Sequence, residues 1–221
     1  MATITFEDLQ KNETVRTYIK MADQVLNVSG YTEHSYAHVT RCAGVASNIL
    51  AELGYPERQI ELARIAGFLH DIGNVINRDD HAQSGAIMAF IILTQMGMPP
   101  EEVCIVMSAI GNHDEKTAVP VSPVAAALIL ADKSDVRRSR VRHDGVPAQD
   151  IHDRVNYSVE RSQLDLDAEG KKITLSISIN TELCPVMDYF EIFLNRMMLC
   201  KRAGDQLGLR FSLLINGMEI V

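Results

Sequence analysis

The sequence predicts a mainly α-helical bundle with a small C-terminal α+β appendage. Three observations support this fold class: apolar residues recur with helical spacing over most of the chain, glycine and proline separate these segments, and strand-like alternation replaces them near the end. The chain has 221 residues, 47% of them hydrophobic, which is enough for one sizeable core. We therefore place a helical domain at residues 1–165 and the appendage at residues 166–221.

Helix starts and breaks divide the first domain. Thr5 and Asp8 have the spacing of a capping box, and residues 29–30 end the helix that follows. The sequences Gly-Tyr-Pro at residues 54–56 and Gly-Met-Pro-Pro at residues 97–100 are further breaks. The predicted helices cover residues 5–27, 33–53, 57–69, 81–96, 101–111, 124–141 and 150–164.

The appendage begins with residues 172–179, in which apolar and polar side chains alternate as in a half-buried strand. We expect a helix at residues 185–207 and a second strand at 210–215. The Asn-Gly pair at residues 216–217 predicts a hairpin turn into residues 218–221. Because an isolated hairpin is only marginally stable, we expect these strands to find partners across a homodimer.

Composition excludes several classes of function. The net charge of −8 argues against a nucleic-acid groove, so an anionic substrate would need a local cluster of metals and arginines. The four cysteines are scattered without a Cys-x-x-Cys pair, which is typical of reduced thiols in a cytoplasmic protein. No signal peptide is recognisable, and the longest apolar runs are too short to span a membrane, so we expect neither a membrane nor a nucleic-acid partner.

The apolar helix at residues 57–69 delivers His70 and Asp71 to its C-terminal end. Taken alone, this pair indicates no more than a hydrogen bond at the end of a helix. Buried polar groups must be paired or bound to a metal, and imidazole with carboxylate is a ligand set for iron, manganese, zinc or cobalt. Four further candidates lie on or at the ends of other apolar helical segments, so one bundle would point them all inward: His38, His81, His113 and Asp132.

This pattern resembles the HD superfamily of metal-dependent phosphohydrolases. The resemblance covers residues 31–141 and rests on the order His38, His70-Asp71 and Asp132. The additional histidines, His81 and His113, resemble those of two-metal members, and the pattern is most similar to the bacterial diadenosine tetraphosphate hydrolases. The stretch between Asp71 and His81 is shorter than in those enzymes, which leaves the exact substrate open.

The resemblance implies an HD-type bundle that hydrolyses a phosphate ester or anhydride bond of a nucleotide or dinucleotide, with a metal-bound hydroxide as nucleophile. It implies two divalent metals per chain, iron or manganese, with magnesium, cobalt, nickel or zinc as alternatives. Asp71 and His70 would be catalytic, and Asp71 would bridge the metals because a carboxylate offers two oxygens. The implied metal ligands are His38, His70, Asp71, His81, His113 and Asp132.

Substrate-binding candidates are cationic residues near these ligands. If the helix at residues 124–141 is continuous, Lys133, Arg137 and Arg140 share one face. Arg41 lies three residues after His38, and Arg78 lies in the loop before His81. A solvated basic surface is the alternative explanation for these arginines.

Two polar candidates have open roles. His34, one turn before His38, either reaches the substrate or makes a hydrogen bond at a helix start. Asp114, next to His113, is a candidate catalytic base or an orienting residue. Two rival functions also remain: a di-iron oxygenase of the same superfamily, and a non-catalytic nucleotide-sensing module.

Overall fold

The structure is a computed structural model that describes residues 3–142 and 151–220, without the side chain of His152. Helices form the first part of the chain and a four-stranded sheet lies near its end, so the predicted fold class is confirmed. The longer helices are α1 (Phe6–Lys11), α2 (Glu13–Val28), α3 (Tyr36–Glu52), α4 (Glu57–Leu69), α5 (His81–Gln95), α6 (Pro100–Gly111), α7 (Pro123–Lys133), α8 (Ile151–Ser158) and α9 (Val186–Gln206). The strands are β1 (Val159–Asp167), β2 (Lys172–Ile179), β3 (Arg210–Ile215) and β4 (Met218–Glu219).

The first predicted helix is divided in two at Asn12. The Asn12 side chain accepts a hydrogen bond from the backbone N–H of Val15 at 3.1 Å and so caps α2. The break frees α1 to pack across α4, where the rings of Phe6 and Phe68 meet edge to face at 5.2 Å. The remaining predicted helices up to residue 111 agree with α3 to α6.

Two glycines allow the close contacts that assemble the site. A Cβ atom on Gly67 would lie 2.7 Å from the Cα atom of Ala43, so only glycine lets α4 approach α3 this closely. Gly73 lies in a short 3-10 helix, Ile72–Val75, where a Cβ atom would lie 2.5 Å from the backbone nitrogen of Gly85. These contacts align the helices that carry the site residues.

The predicted helix at residues 124–141 is wrong beyond Lys133, where α7 ends. The Ser134 hydroxyl donates to the carbonyl oxygen of Ala131 at 3.0 Å, and the buried Asp135 side chain turns inward. The chain then continues into a separate 3-10 helix, Arg138–Arg140. Lys133, Arg137 and Arg140 therefore do not share a helix face.

The predicted helix at residues 150–164 is also wrong in its second half; residue 150 lies outside the described residues. Residues after Ser158 form β1, which pairs antiparallel with β2. β1 is an edge strand rich in charged residues, as edge strands often are, and such a sequence lacks a clear alternating pattern. β1 crosses the boundary predicted at residue 165, and the division into two domains stays a prediction.

The sheet has the order β1-β2-β3-β4, with β2 and β3 parallel and the outer pairs antiparallel. The alternation predicted for β2 is confirmed, since its buried side chains are Ile173, Leu175, Ile177 and Ile179. Because β1 supplies a partner within the chain, the reason given for pairing strands across a homodimer no longer holds. The homodimer itself stays a prediction.

Helix α9 connects the two parts of the molecule. It follows β2, precedes β3 and contacts both β3 and α7. Tyr189, Phe193 and Met197 are buried along it, so its inner face is fixed against the core. Among the residues that the structure describes, no helix is long and apolar enough to cross a membrane.

Candidate metal centre

The ends of five helices bring the six predicted ligands together. His38 lies in the first turn of α3, His70 and Asp71 follow α4, and His81 begins α5. His113 follows α6, and Asp132 lies in the last turn of α7. All four histidines and Asp71 are buried, and the Asp132 side chain is 12% exposed.

Four of the ligands form a first group. The Nε2 atom of His38 lies 3.4 Å from Asp71 Oδ2 and 3.4 Å from Asp132 Oδ1. The Nε2 atom of His70 lies 3.2 Å and 3.7 Å from the same two oxygens. Ligands about 2.1 Å from a common ion lie about 3.0 to 3.4 Å apart, so most of these spacings fit one divalent metal.

A second group lies on the other side of Asp71. The Nε2 atoms of His81 and His113 are 3.2 Å apart, and His81 Nε2 is 3.7 Å from Asp71 Oδ1. The rings of His70 and His113 meet at 5.0 Å, so the two groups adjoin. Asp71 presents Oδ2 to the first group and Oδ1 to the second, the arrangement of a bridging carboxylate.

The hydrogen bond made by Nδ1 of each histidine fixes Nε2 as the ring nitrogen that faces the centre. A carbonyl or ionised carboxylate oxygen only accepts hydrogen bonds, so each Nδ1 must carry the proton. A neutral ring then directs the Nε2 lone pair inward, as metal-binding histidines do. The four hydrogen bonds run from Nδ1 of His38 to Asp135 Oδ2 (2.7 Å), His70 to Gly67 O (2.8 Å), His81 to Arg78 O (2.9 Å) and His113 to Ile110 O (2.6 Å).

Two buried atoms of this centre have no hydrogen-bond partner among the described residues. They are His70 Nε2 and Asp71 Oδ2, which lie 3.2 Å apart. A buried polar atom without a partner is costly, and a cation between the two would satisfy both. The donor set of imidazole nitrogens and carboxylate oxygens therefore fits a divalent metal.

The direction of the pKa shift distinguishes His70 from His81 and His113. Burial lowers the pKa of His81 and holds that of His113 well below its usual range, so both rings are neutral. Burial also opposes protonation of His70, but Asp71 and Asp132 outweigh it and raise its pKa to about 10. A metal in the first group would displace such a proton, because metal and proton compete for the same lone pair.

Three residues outside the predicted ligand set hold or border the candidate ligands. Asn74, three residues after Asp71, donates from Nδ2 to Asp71 Oδ1 at 2.8 Å and so fixes the carboxylate. Asp135 holds His38 through the hydrogen bond described above. The Cys42 thiol, one helical turn after His38, lies 3.7 Å from both of its ring nitrogens, so a sulfur atom borders the first group.

A cavity of about 540 Å³ opens onto the centre. Asp71, His81 and Asp132 lie at its surface. Five of the predicted catalytic or substrate-binding residues also line it: His34, Arg78, Asp114, Lys133 and Arg140. Other parts of the wall come from the loop at residues 29–32, from Asp79 and residues 115–116, and from α9 with Asp153 and Asn156.

Lys133 is the cavity cation nearest to the ligands. Its Nζ atom lies 2.7 Å from Asp132 Oδ2 and 3.2 Å from Glu115 Oε2. Burial opposes the ammonium charge, but Asp132 and Glu115 outweigh this effect and raise the pKa of Lys133. Lys133 is thus charged and buried beside the ligand Asp132.

His34 and Arg78 lie near the same end of the cavity. His34 donates from Nδ1 to the carbonyl oxygen of Thr32 at 2.7 Å, and burial and Arg140 hold its pKa well below the usual range. Its ring is therefore neutral. Arg78 donates to Asn74 Oδ1 at 3.3 Å and lies over the Tyr31 ring at 5.8 Å.

Three predicted arginines surround Asp135. Arg41 Nε and Arg137 Nε lie 3.1 Å and 2.9 Å from Asp135 Oδ1, and neither residue lines the cavity. Arg140 does line it, but it donates from Nη1 to the Asp135 carbonyl oxygen at 2.8 Å and from Nε to that of Glu33 at 2.9 Å. The structure therefore gives Arg41 and Arg137 a role around Asp135 and no direct position at the cavity.

Glu115 and Arg196 complete the cavity, and neither was singled out from the sequence. The Glu115 carboxylate pairs with Lys133 and, through Oε1, with Nε of Arg196 on α9. Burial would raise the pKa of Glu115, but Lys133 and Arg196 lower it well below its usual range. Asp114, whose carbonyl oxygen accepts from the backbone N–H groups of Thr117 and Ala118, lies beside Glu115 at the cavity.

Comparison with known proteins finds similar chains among uncharacterised proteins and ribonucleases. An uncharacterised protein of Methanocaldococcus jannaschii is 26% identical over 203 residues, which cover 80% of this chain and 76% of that protein. Ribonuclease Y of Fervidobacterium nodosum is 29% identical over 58% of this chain, and ribonuclease Y of Cutibacterium acnes is 30% identical over 54%. The matched parts make up only 23% and 21% of those two ribonucleases.

Among solved structures, that of a predicted HD superfamily hydrolase from an uncultured Thermotogales bacterium is 26% identical. The aligned residues cover 61% of this chain and 75% of that protein's chain, with a TM-score of 0.46. The HD domain family matches residues 35–137, a range that includes all six ligands. The match supports the resemblance to the HD family for residues 35–137, the region that carries the six candidate ligands.

Proposed function

We propose that this protein is a metal-dependent phosphohydrolase that cleaves a phosphate ester or anhydride bond of a nucleotide or dinucleotide. The observation that carries the proposal is the inward direction of four histidine Nε2 atoms toward Asp71 and Asp132, beside a cavity whose lining includes the cations Arg78 and Lys133. Two divalent metals per chain, iron or manganese, are part of the proposal. When bound, such ions lower the pKa of a coordinated water, so a nucleophile is available at neutral pH.

The residues of the chain position the reaction. Asp71 holds the two ligand groups together through its two oxygens, and Asn74 fixes the orientation of that carboxylate. Lys133 and Arg78 would contact the reacting phosphate, because they are the cations that line the cavity beside Asp132 and His81. Asp114 lies where it could accept a proton or orient a water molecule.

The cavity size supports a nucleotide or one end of a dinucleotide. Small-molecule sites commonly have volumes of roughly 300 to 1,000 Å³, and this cavity has about 540 Å³. Tyr31, which is 45% exposed, gives its wall aromatic surface that suits a base. The diadenosine tetraphosphate hydrolases remain the proposed subtype, and a cytoplasmic homodimer remains part of the proposal.

The similarity to ribonuclease Y favours a second candidate, hydrolysis of phosphodiester bonds in RNA. The name belongs to those longer proteins, of which this chain spans less than a quarter. A net charge of −8 is unfavourable for long nucleic acids. An assay with a short oligoribonucleotide beside mononucleotides and dinucleotides separates the two candidates.

The proposal predicts phosphate release that depends on added metal. Protein loaded with iron or manganese without air should hydrolyse at least one nucleotide or dinucleotide. A chelator should abolish the activity, because the bound metal is what lowers the pKa of the attacking water in this mechanism. Phosphate release and oxygen uptake are measured in parallel. Oxygen uptake without phosphate release would instead indicate the di-iron oxygenase, and binding without turnover of any substrate would indicate the sensing module.

A further inference from the structure

Helix α9 contributes one wall of the cavity from outside the matched HD domain. Ile192, Phe193, Asn195 and Arg196 line the cavity, whereas the family match ends at residue 137. Residues 195 and 196 lie three and four after residue 192, and residue 196 lies three after residue 193, so the four lie on one broad face of α9. The HD domain alone therefore leaves one side of its cavity to be completed by the C-terminal part of the chain.

Two contacts hold the Arg196 side chain in this wall. Its guanidinium lies over the Phe193 ring, 4.6 Å from the ring centre, and its Nε atom pairs with Glu115 Oε1. The side chain is only 25% exposed. Within residues 3–142 and 151–220, its Nη1 and Nη2 groups have no hydrogen-bond partner. A fixed guanidinium with two available NH₂ groups has the geometry that binds a phosphate or carboxylate in two places.

The charged side chains form a row that leads away from the ligands. Asp132 contacts Lys133, Lys133 contacts Glu115, and Glu115 contacts Arg196. Asp132 belongs to the metal ligands, so the rest of the row contains two positive charges and one negative charge. Without Asp132 this row therefore carries one net positive charge, and Arg196 is its cation further from the ligands.

We infer that Arg196 binds a phosphate of the substrate other than the one that reacts, which makes the preferred substrate a polyphosphate such as a nucleoside triphosphate or dinucleoside polyphosphate. This inference rests on the proposed function, because it takes the reacting phosphate to lie at the ligands and Lys133. Arg196 would then determine which substrates bind well, through a contact that a monophosphate does not reach.

The test compares two ligands on the metal-loaded full chain. Binding of a non-hydrolysable methylene analogue of adenosine triphosphate and of adenosine monophosphate is measured by calorimetry for wild type and Arg196→Gln. Charged hydrogen bonds of about 1.5 to 3 kcal/mol correspond to about 10- to 100-fold in affinity, so Arg196→Gln should lower the preference for the triphosphate by that factor. Arg202→Gln, an exposed arginine on the same helix, is the matched control and should leave the preference unchanged.

Glu115→Gln separates phosphate binding from a purely structural ion pair. If Arg196 only stabilises the fold through Glu115, both variants should lower the melting temperature alike and leave the ligand preference as in wild type. If Arg196 binds phosphate, Glu115→Gln should instead strengthen triphosphate binding, because it removes the carboxylate that competes for Arg196. Opposite signs for the two variants would support the inference.

Equal weakening of both ligands by Arg196→Gln, or a wild type without preference for the triphosphate, would overturn the inference. The binding measurement needs no turnover, so the proposed function can fail separately. If the protein hydrolyses no phosphate compound but Arg196→Gln still loses the preference for the triphosphate, the phosphate site at Arg196 is supported and the proposed hydrolase activity is refuted.

Discussion

Asp71→Ala is expected to remove bound metal and to lower hydrolytic activity by more than about 100-fold. Loss of a residue that merely orients a metal ligand costs about 10- to 100-fold in metal affinity or activity, and Asp71 is itself a ligand candidate for both groups. Its Oδ2 atom faces His38 and His70, and its Oδ1 atom faces His81. Removing one side chain therefore affects both metal positions at once.

Metal content and phosphate release should be measured on the same preparation of Asp71→Ala. Asp205→Ala is the matched control, since Asp205 lies exposed on α9 and pairs with Lys201 alone among the described residues. The control should keep wild-type metal content and activity, and circular dichroism should show the same helix content for both variants. Full activity in Asp71→Ala would refute the proposed mechanism.

Asp135→Ala is expected to destabilise the metal-free protein by about 3 to 5 kcal/mol, because it leaves the buried side chains of His38 and Arg140 without their carboxylate partner. The carboxylate is 1% exposed and accepts hydrogen bonds from His38 at 2.7 Å and Arg137 at 2.9 Å, and it forms an ion pair with Arg41 at 3.1 Å. Metal affinity should also fall by about 10- to 100-fold, since His38 loses the acceptor that orients it. Urea denaturation measures the first effect and metal titration the second.

The matched control is Asp188→Ala, which removes a carboxylate paired with Arg154 nearer the surface and should cost much less stability.

The pH dependence of the stability gives a further check on Asp135. Burial alone would raise the pKa of Asp135, but His38 and the neighbouring arginines lower it below the unfolded value, which is about 3.9. Its contribution is therefore fully present above about pH 4 and is lost as the pH falls, so wild type and Asp135→Asn should converge in stability under acid conditions. A constant difference between them from pH 7 to pH 3 would contradict this assignment.

The six candidate ligands, which the structure brings together, could be identified because each depends on local sequence. His70 and Asp71 end one helix, His81 begins another, and each lies beside an apolar face that must be buried. The common order of such residues then indicated the HD family, which the comparison with known proteins confirms for residues 35–137. Local helix pattern and residue type were sufficient to predict that these side chains meet.

The errors arose where a tertiary contact overrides the local pattern. Asp135 is drawn inward by His38, Arg41 and Arg137, so α7 ends at Lys133 and the expected row of basic residues does not form. The contact between Glu115 and Arg196 depends on how α9 docks, which no spacing along the chain reveals. Edge strand β1 was missed because its charged residues carry no alternating signal.

The most direct test of the metal centre is the number of metal ions per chain. Plasma mass spectrometry on protein purified without chelator and without air should find about two ions of iron or manganese, as expected for a two-metal site. One ion per chain would mean that His81 and His113 support the site without binding a second metal. Absence of metal, with none taken up on reconstitution, would contradict the account.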